Sequence, residues 1–253
     1  MLNERVFKKK GFPINFINYI GENLKSSFWI DKFDVFLFDF DGLLVNTEEL
    51  HFAAYKQMCK KRGCDLKWSF DQFCQIAHRD DTGLEKMIYA EFPTLYKEEP
   101  NWDILYAEKK QAYLEILQKS APALLPGVES LLKLLAMRGK KRCIVTNASR
   151  LQLDLIEAKL PILRTIPVWV TRELYQRPKP APDSYLHAIN LLADQGDRII
   201  GFEDSLKGIE ALMQTKAEPI LICHKTHPQL QDPLSKKVVH FPSLEQMGQY
   251  SPL

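Results

Sequence analysis

Short apolar runs, each too brief for a helix, constrain the fold of this chain more than any other feature. They are Val35-Phe36-Leu37-Phe38, Cys143-Ile144-Val145, Val168-Trp169-Val170, Ile199-Ile200 and Ile220-Leu221-Ile222, with Val238-Val239 as a weaker addition. Apolar character without alternation is what a strand buried on both faces of a parallel sheet requires. Helical patterns lie between these runs, at Val128 to Met137, Leu151 to Leu160, Tyr185 to Ala193 and Ser205 to Thr215. Strand and helix in alternation predict βαβ units, hence an α/β fold with a doubly wound, Rossmann-like parallel sheet.

The alternation fails in one stretch. From about Glu48 to Pro122 the pattern is helical only, near Glu49–Lys61, Leu84–Glu91 and Trp102–Lys119, with Pro93 and Pro100 as breaks. The expectation is an all-helical insertion over residues 48–121, set into a core made of 31–47 and 122–253. Residues 1–30 stand apart as an N-terminal extension. There Lys8-Lys9-Lys10 precedes Phe16, Ile17, Ile20, Leu24 and Phe28 at helical spacing, and Asn15, Asn18, Glu22 and Asn23 interrupt any secretory-type apolar region. This reads as an amphipathic helix docked on the body of the protein, with membrane-surface or partner binding as the alternative.

Composition narrows the partners. Lys plus Arg is 34 against 32 Asp plus Glu, a net charge of +2, which gives no support for nucleic acid or an anionic membrane as partner. No apolar run approaches the roughly 18–20 residues of a membrane-spanning helix. The five cysteines lack CxxC spacing, so neither a disulfide framework nor a structural zinc site is expected, and a reducing cytoplasm is.

In an open α/β sheet, ligands bind beyond the carboxyl ends of the strands. Asp39 and Asp41 follow the first apolar run, Thr146 and Asn147 the second, and Glu203, Asp204 and Ser205 follow Ile199-Ile200. Carboxylates gathered from separate strands at one edge would repel one another without a cation, and hard oxygen donors suit Mg2+. Lys179 lies in Arg177-Pro178-Lys179-Pro180-Ala181-Pro182, a proline-stiffened loop that loses little extra entropy on folding. A cation site, a fixed ammonium and a Thr/Asn pair together make a receptor for a phosphoryl group. Taken singly, each of these motifs is as readily a turn or a helix cap; their joint order on one sheet edge is the signal.

These motifs resemble those of the haloacid dehalogenase superfamily of phosphotransferases. The matching segments are Asp39-Phe40-Asp41-Gly42-Leu43-Leu44-Val45-Asn46-Thr47-Glu48, Val145-Thr146-Asn147, Lys179-Pro180-Ala181-Pro182-Asp183 and Gly201-Phe202-Glu203-Asp204-Ser205, in the family's order. Asn46 departs from the Asp of many members. The helical insertion is similar to the cap of the β-phosphoglucomutase-like sugar phosphatases. The resemblance implies Asp39 as nucleophile, forming an aspartyl-phosphate, and Asp41 as acid and then base. It implies Mg2+ held by Asp39, the Asp41 carbonyl, Glu203 and Asp204, with Thr146, Asn147 and Lys179 on the phosphoryl oxygens. Asp41 argues against the dehalogenase and phosphonatase branches, which typically lack it.

In the cap, His51 resembles a hinge histidine but reads equally as an ordinary helix residue. His78-Arg79 sits where relatives carry a substrate-reading loop, with Ala77 in place of the usual Gly and Asp80-Asp81 available to pair with Arg79. His224 and His227 read as surface residues. The expected activity is Mg2+-dependent hydrolysis of a small phosphorylated metabolite, a sugar or polyol phosphate. The alternatives are a β-phosphoglucomutase-like phosphomutase and a catalytically silent binding protein on the same fold.

Overall fold

The computed structural model describes residues 28–79 and 82–250. Six parallel strands form one sheet in the order β3-β2-β1-β4-β5-β6. They are β1 (Val35–Phe38), β2 (Lys141–Val145), β3 (Val168–Val170), β4 (Ile199–Glu203), β5 (Glu218–Ile222) and β6 (Val239–Phe241). The weak Val238-Val239 signal is thus a real edge strand, and β1 is buried along its whole length, as its unbroken apolar run requires.

Sequence order reverses between β1 and β4, so β1 lies between β2 and β4 at the centre of the sheet. The crevice beyond the carboxyl end of β1 is therefore flanked by the ends of both neighbours.

Between β1 and β2 the chain forms α1 (Glu48–Lys61), α2 (Phe70–Ala77), α3 (Gly83–Glu91), α4 (Pro93–Glu98) and α5 (Trp102–Lys119). α2 and α4 were not expected from the sequence. For α2 a signal existed: the Ser69 hydroxyl accepts from the Gln72 N–H while the Gln72 side chain accepts from the Ser69 N–H, a reciprocal cap that anchors a short helix. These helices bury their own cluster, including Phe52, Tyr55, Met58, Phe73, Ile88, Leu95 and Leu105. The two linkers to the sheet run side by side. Val45 bridges Leu124, the Asn46 N–H donates to the Ala123 carbonyl at 3.0 Å, and the Asn46 side chain accepts from the Ala123 N–H at 2.6 Å. Asn46 thus fastens the two linkers together.

The remaining helices are α6 (Val128–Met137), α7 (Arg150–Lys159), α8 (Asp183–Leu192) and α9 (Leu206–Met213), close to their expected positions. They cover the two faces of the sheet with separate apolar clusters.

The N-terminal expectation needs correction where it can be checked. Residues 1–27 lie outside the described residues, and with them the amphipathic helix. Trp29 and Ile30, assigned to the extension, are buried in the core. The Trp29 ring lies 6.1 Å from Phe36, 6.1 Å from Phe202 and 5.8 Å from Tyr250. These contacts tie it to the sheet, so the core begins before the expected boundary at residue 31. Trp29→Ala should lower unfolding free energy by about 3–5 kcal/mol, the usual scale for a deleted core aromatic. Urea denaturation of the variant against the parent protein measures this.

Candidate active site

The carboxyl ends of β1, β2 and β4 and the β3–α8 loop converge on one cleft. It is lined by Asp39, Asp41, Thr146, Asn147, Lys179 and Asp204 from the sheet side. From the helical side come Glu48, His51, Tyr55, His78, Tyr106 and Lys109. Glu203 lies just beneath, fully buried.

Lys179 organises the floor. Its buried ammonium donates to Asp39 Oδ1 at 2.5 Å, Glu203 Oε1 at 2.6 Å and the Val145 carbonyl at 2.7 Å. The Tyr185 hydroxyl donates to the same Glu203 oxygen at 2.5 Å. Burial alone would push the Lys179 ammonium down, but Asp39 and Glu203 outweigh it and keep its pKa above the ordinary lysine value. Burial raises Asp39 to about 7, with Glu203 and Asp41 adding to the rise and Lys179 opposing it. Burial also raises Asp204, reinforced by Glu48, Asp39 and Glu203. One ammonium among these carboxylates leaves the floor short of positive charge.

Ligand atoms of Asp39, Glu203 and Asp204 lie within 4.8 Å of one another. An all-oxygen, anionic donor set of this kind fits Mg2+. Two glycines permit the crowding. Gly42 adopts φ +79°, and a Cβ there would collide with the Asp204 carboxylate and with Glu48. A Cβ at Gly208 would collide with the Glu203 carboxylate.

Asp41 stands at the mouth. The Thr47 hydroxyl donates to Asp41 Oδ1 at 2.5 Å, and His51 Nε2 lies 3.4 Å from the same oxygen. On the other side of that ring, Lys109 Nζ lies 2.7 Å from His51 Nδ1. While Lys109 is protonated it can only donate, so Nδ1 then accepts and the Nε2–H faces Asp41, which assigns a neutral ring in that state. Burial and the Lys109 charge lower the His51 pKa, in agreement. For Asp41, burial pushes upward, but the His51 and Thr47 hydrogen bonds and the Lys109 charge hold it below the ordinary carboxylate range. Tyr113 stacks on His51 with ring centroids 4.1 Å apart. His51 is therefore part of a relay from the cap to Asp41.

The β2 end supplies the last groups. Thr146 is buried, and its hydroxyl accepts from the Ala148 N–H at 3.0 Å. The Asn147 side-chain oxygen accepts from the Lys179 N–H at 3.2 Å and from the Tyr175 hydroxyl at 2.7 Å. Its side chain is thus occupied within the protein.

Of the cap residues expected to read substrate, His51 and His78 line the cleft and Arg79 does not. Arg79 forms an ion pair with Asp232 of the core. It was singled out because His78-Arg79 sits where relatives carry a substrate-reading loop, yet neighbouring side chains at a helix end point to different sides. Asp80 and Asp81 lie outside the described residues. His78 Nε2 contacts Glu48, and its ring stacks on His227 with centroids 5.3 Å apart, so His227 is half-buried, not a surface residue. Lys109, Tyr106, Tyr55 and Tyr175 were missed. Lys109 carried only a weak trace, as a cation four residues before Tyr113 on the inward side of α5.

Burial lowers the Lys109 ammonium to about 7, against partial support from Asp41. The unfolded chain binds this proton up to about pH 10.4 and the folded chain does not. Stability should therefore rise with pH through that window. The difference in unfolding free energy between the parent protein and Lys109→Met should shift in the parent's favour from pH 7 to pH 10. Parallel urea titrations across that range check the direction.

Comparisons with known proteins agree with this geometry. A sequence model of haloacid dehalogenase-like hydrolases matches residues 36–221. Protein CbbY of Rhodobacter capsulatus is 30% identical over 177 residues, covering 68% of this chain and 78% of the relative. The 2-deoxyglucose-6-phosphate phosphatase 2 of Saccharomyces cerevisiae is 29% identical over 196 residues, covering 70% and 75%. The crystal structure of CbbY from Rhodobacter sphaeroides with phosphate superimposes with a TM-score of 0.68 at 19% identity, over 85% of this chain and 96% of that one. Four motifs on one sheet edge, a helical cap over them and a match across most of the chain lead to one conclusion: the protein belongs to the haloacid dehalogenase-like hydrolase family.

Proposed function

We propose that the protein is a Mg2+-dependent phosphatase acting on a small sugar or polyol monophosphate through an aspartyl-phosphate on Asp39. The observation that carries this reading is the pairing of two differently treated carboxylates. Asp39 is buried against Lys179 on the charged floor, while Asp41 sits above it, bonded to Thr47 and His51.

In this reading an Asp39 oxygen attacks phosphorus as the ester P–O bond breaks, and the departing alkoxide takes a proton from Asp41. The incoming phosphate dianion raises the otherwise depressed Asp41 pKa, so that it can carry that proton. Water then attacks phosphorus, gives its proton back to Asp41, and the Asp39–P bond breaks. Lys179 holds Asp39 in place and neutralises part of the floor. Thr146 and the Asn147 N–H hold phosphoryl oxygens. Mg2+, when held by Asp39, Glu203, Asp204 and the Asp41 carbonyl, would supply the remaining positive charge that a phosphate dianion needs.

The cap argues for a monophosphate. A mutase must grip a second phosphate, and Lys109 of the cap and Lys207 of α9, which both line the cleft, have other work. Lys109 engages His51, and Lys207 Nζ donates to the Ala77 carbonyl at 2.7 Å. Arg79, the residue expected to take that phosphate, is paired with Asp232. Tyr55 and Tyr106, whose rings lie 4.9 and 5.8 Å from the Lys109 ammonium, line the same side of the cleft and suit a neutral polyol better than a second phosphate dianion. The relatives whose names include a sugar phosphate support this class. A reducing cytoplasmic setting belongs to the same reading, supported by five free cysteines.

A panel of sugar and polyol phosphates with Mg2+ should release inorganic phosphate, and excess EDTA should abolish the release. Full activity in EDTA would sink the metal assignment, and glucose 6-phosphate formed from β-glucose 1-phosphate faster than free phosphate would favour the mutase. Asp41→Asn should lose roughly 10²–10⁴-fold on alkyl phosphates and much less on aryl phosphates, whose phenolate leaves without a proton. Equal losses on both would remove Asp41 from the acid role.

A further inference from the structure

The Thr146–Asn147 peptide is held by a residue that none of the four motifs contains. Tyr175, in the loop between β3 and α8, places its hydroxyl 2.8 Å from the Thr146 carbonyl and 2.7 Å from the Asn147 side-chain oxygen. A phenol has one hydrogen to share between these acceptors. The Asn147 oxygen also accepts the Lys179 N–H, so the same small network joins the β2 end to the lysine loop. Tyr175 is itself fixed: Arg172 donates to the Tyr175 carbonyl at 2.8 Å and to the Gln176 carbonyl at 2.9 Å, and its guanidinium lies 5.2 Å from the Tyr175 ring centre. Burial raises the phenol to about 12, so it stays protonated and remains a donor at neutral pH.

The carbonyl that Tyr175 holds belongs to the same planar peptide unit as the Asn147 N–H. Fixing one end of that plane fixes the aim of the other, and a hydrogen bond accepted by the carbonyl strengthens the N–H as a donor. Among the described residues this N–H has no acceptor within the protein, in keeping with a group reserved for ligand.

We infer that Tyr175 is a positioning residue, which orients the Thr146–Asn147 peptide so that its N–H meets a phosphoryl oxygen and couples that peptide to the lysine loop. The inference rests on the phosphatase reading for its substrate and on the observed network for its geometry. It extends phosphoryl recognition to a side chain that acts without touching the ligand.

The test compares Tyr175→Phe, which removes one oxygen and keeps the ring under Arg172, with the parent protein. Three quantities are read: KM and kcat for the best ester of the panel, the inhibition constant of inorganic phosphate, and the melting temperature. The expected result is a phosphate inhibition constant and a KM each weakened roughly 5- to 50-fold, the scale of an unmade buried hydrogen bond. The melting temperature should change little. Tyr175→Trp keeps an aromatic ring but cannot reproduce the hydroxyl, so it should not restore phosphate affinity. An inhibition constant within twofold of the parent value in Tyr175→Phe would overturn the inference, as would a fall in melting temperature with phosphate affinity intact. If the parent protein hydrolyses no ester, the phosphatase reading fails by itself. The positioning role is then judged separately, by calorimetric titration of inorganic phosphate into parent and variant with Mg2+ present.

Discussion

The buried ammonium of Lys179 is the contact on which the rest of the arrangement depends. Asp39, Glu203 and Asp204 come from two different strand ends and are almost fully removed from water. Carboxylates in such a place would take up protons or drive the strand ends apart unless opposed by positive charge. Lys179 reaches two of them at once and also the Val145 carbonyl at the end of β2. One side chain therefore ties together β1, β2 and β4 at the edge where the chemistry would occur. Removing one partner of such a cluster leaves an uncompensated buried charge, which costs far more than the pair contributes. The neutralisation is only partial, so the floor keeps net negative charge.

How much of this could be read from sequence followed from how local each signal was. Asp39, Thr146 and Glu203–Asp204 directly follow apolar strand runs, so their meeting at one edge required only the parallel topology. Lys179 needed one more step, a proline-rich loop preceding a helix. Lys109 and His51 are 58 residues apart, and their contact depends on how α5 is rotated against α1, which no short motif encodes. Arg79 shows the opposite case. Its position in a loop was legible, but the side to which it turned was set by Asp232, far along the chain. Trp29 shows the same limit, since it fell inside the expected 1–30 extension while its ring belongs to the core, among partners far along the chain.

The sheet side and the helical side of the cleft differ in kind. The sheet contributes charged groups fixed by backbone position and by glycines that admit no side chain. The helices contribute aromatic rings, the Glu48 carboxylate, the imidazoles of His51 and His78 and the Lys109 ammonium, whose proton is loosely held. His51 connects the two, passing the influence of Lys109 to Asp41 through one imidazole. The ionisation of Asp41 is thus set partly from the helical side.

The seam at Asn46 and Ala123 has a wider consequence. The chain leaves the sheet and returns to it at two segments that are hydrogen-bonded to each other. Whatever lies between them is a closed excursion, whose ends are held at a fixed spacing independent of its length or contents. Closing a longer loop costs only slowly more entropy, so insertions or substitutions in the excursion need not disturb the register of β1 against β2. Residues of the excursion such as Tyr106 can change while Asp39, Glu203, Asp204 and Lys179 stay where the sheet put them.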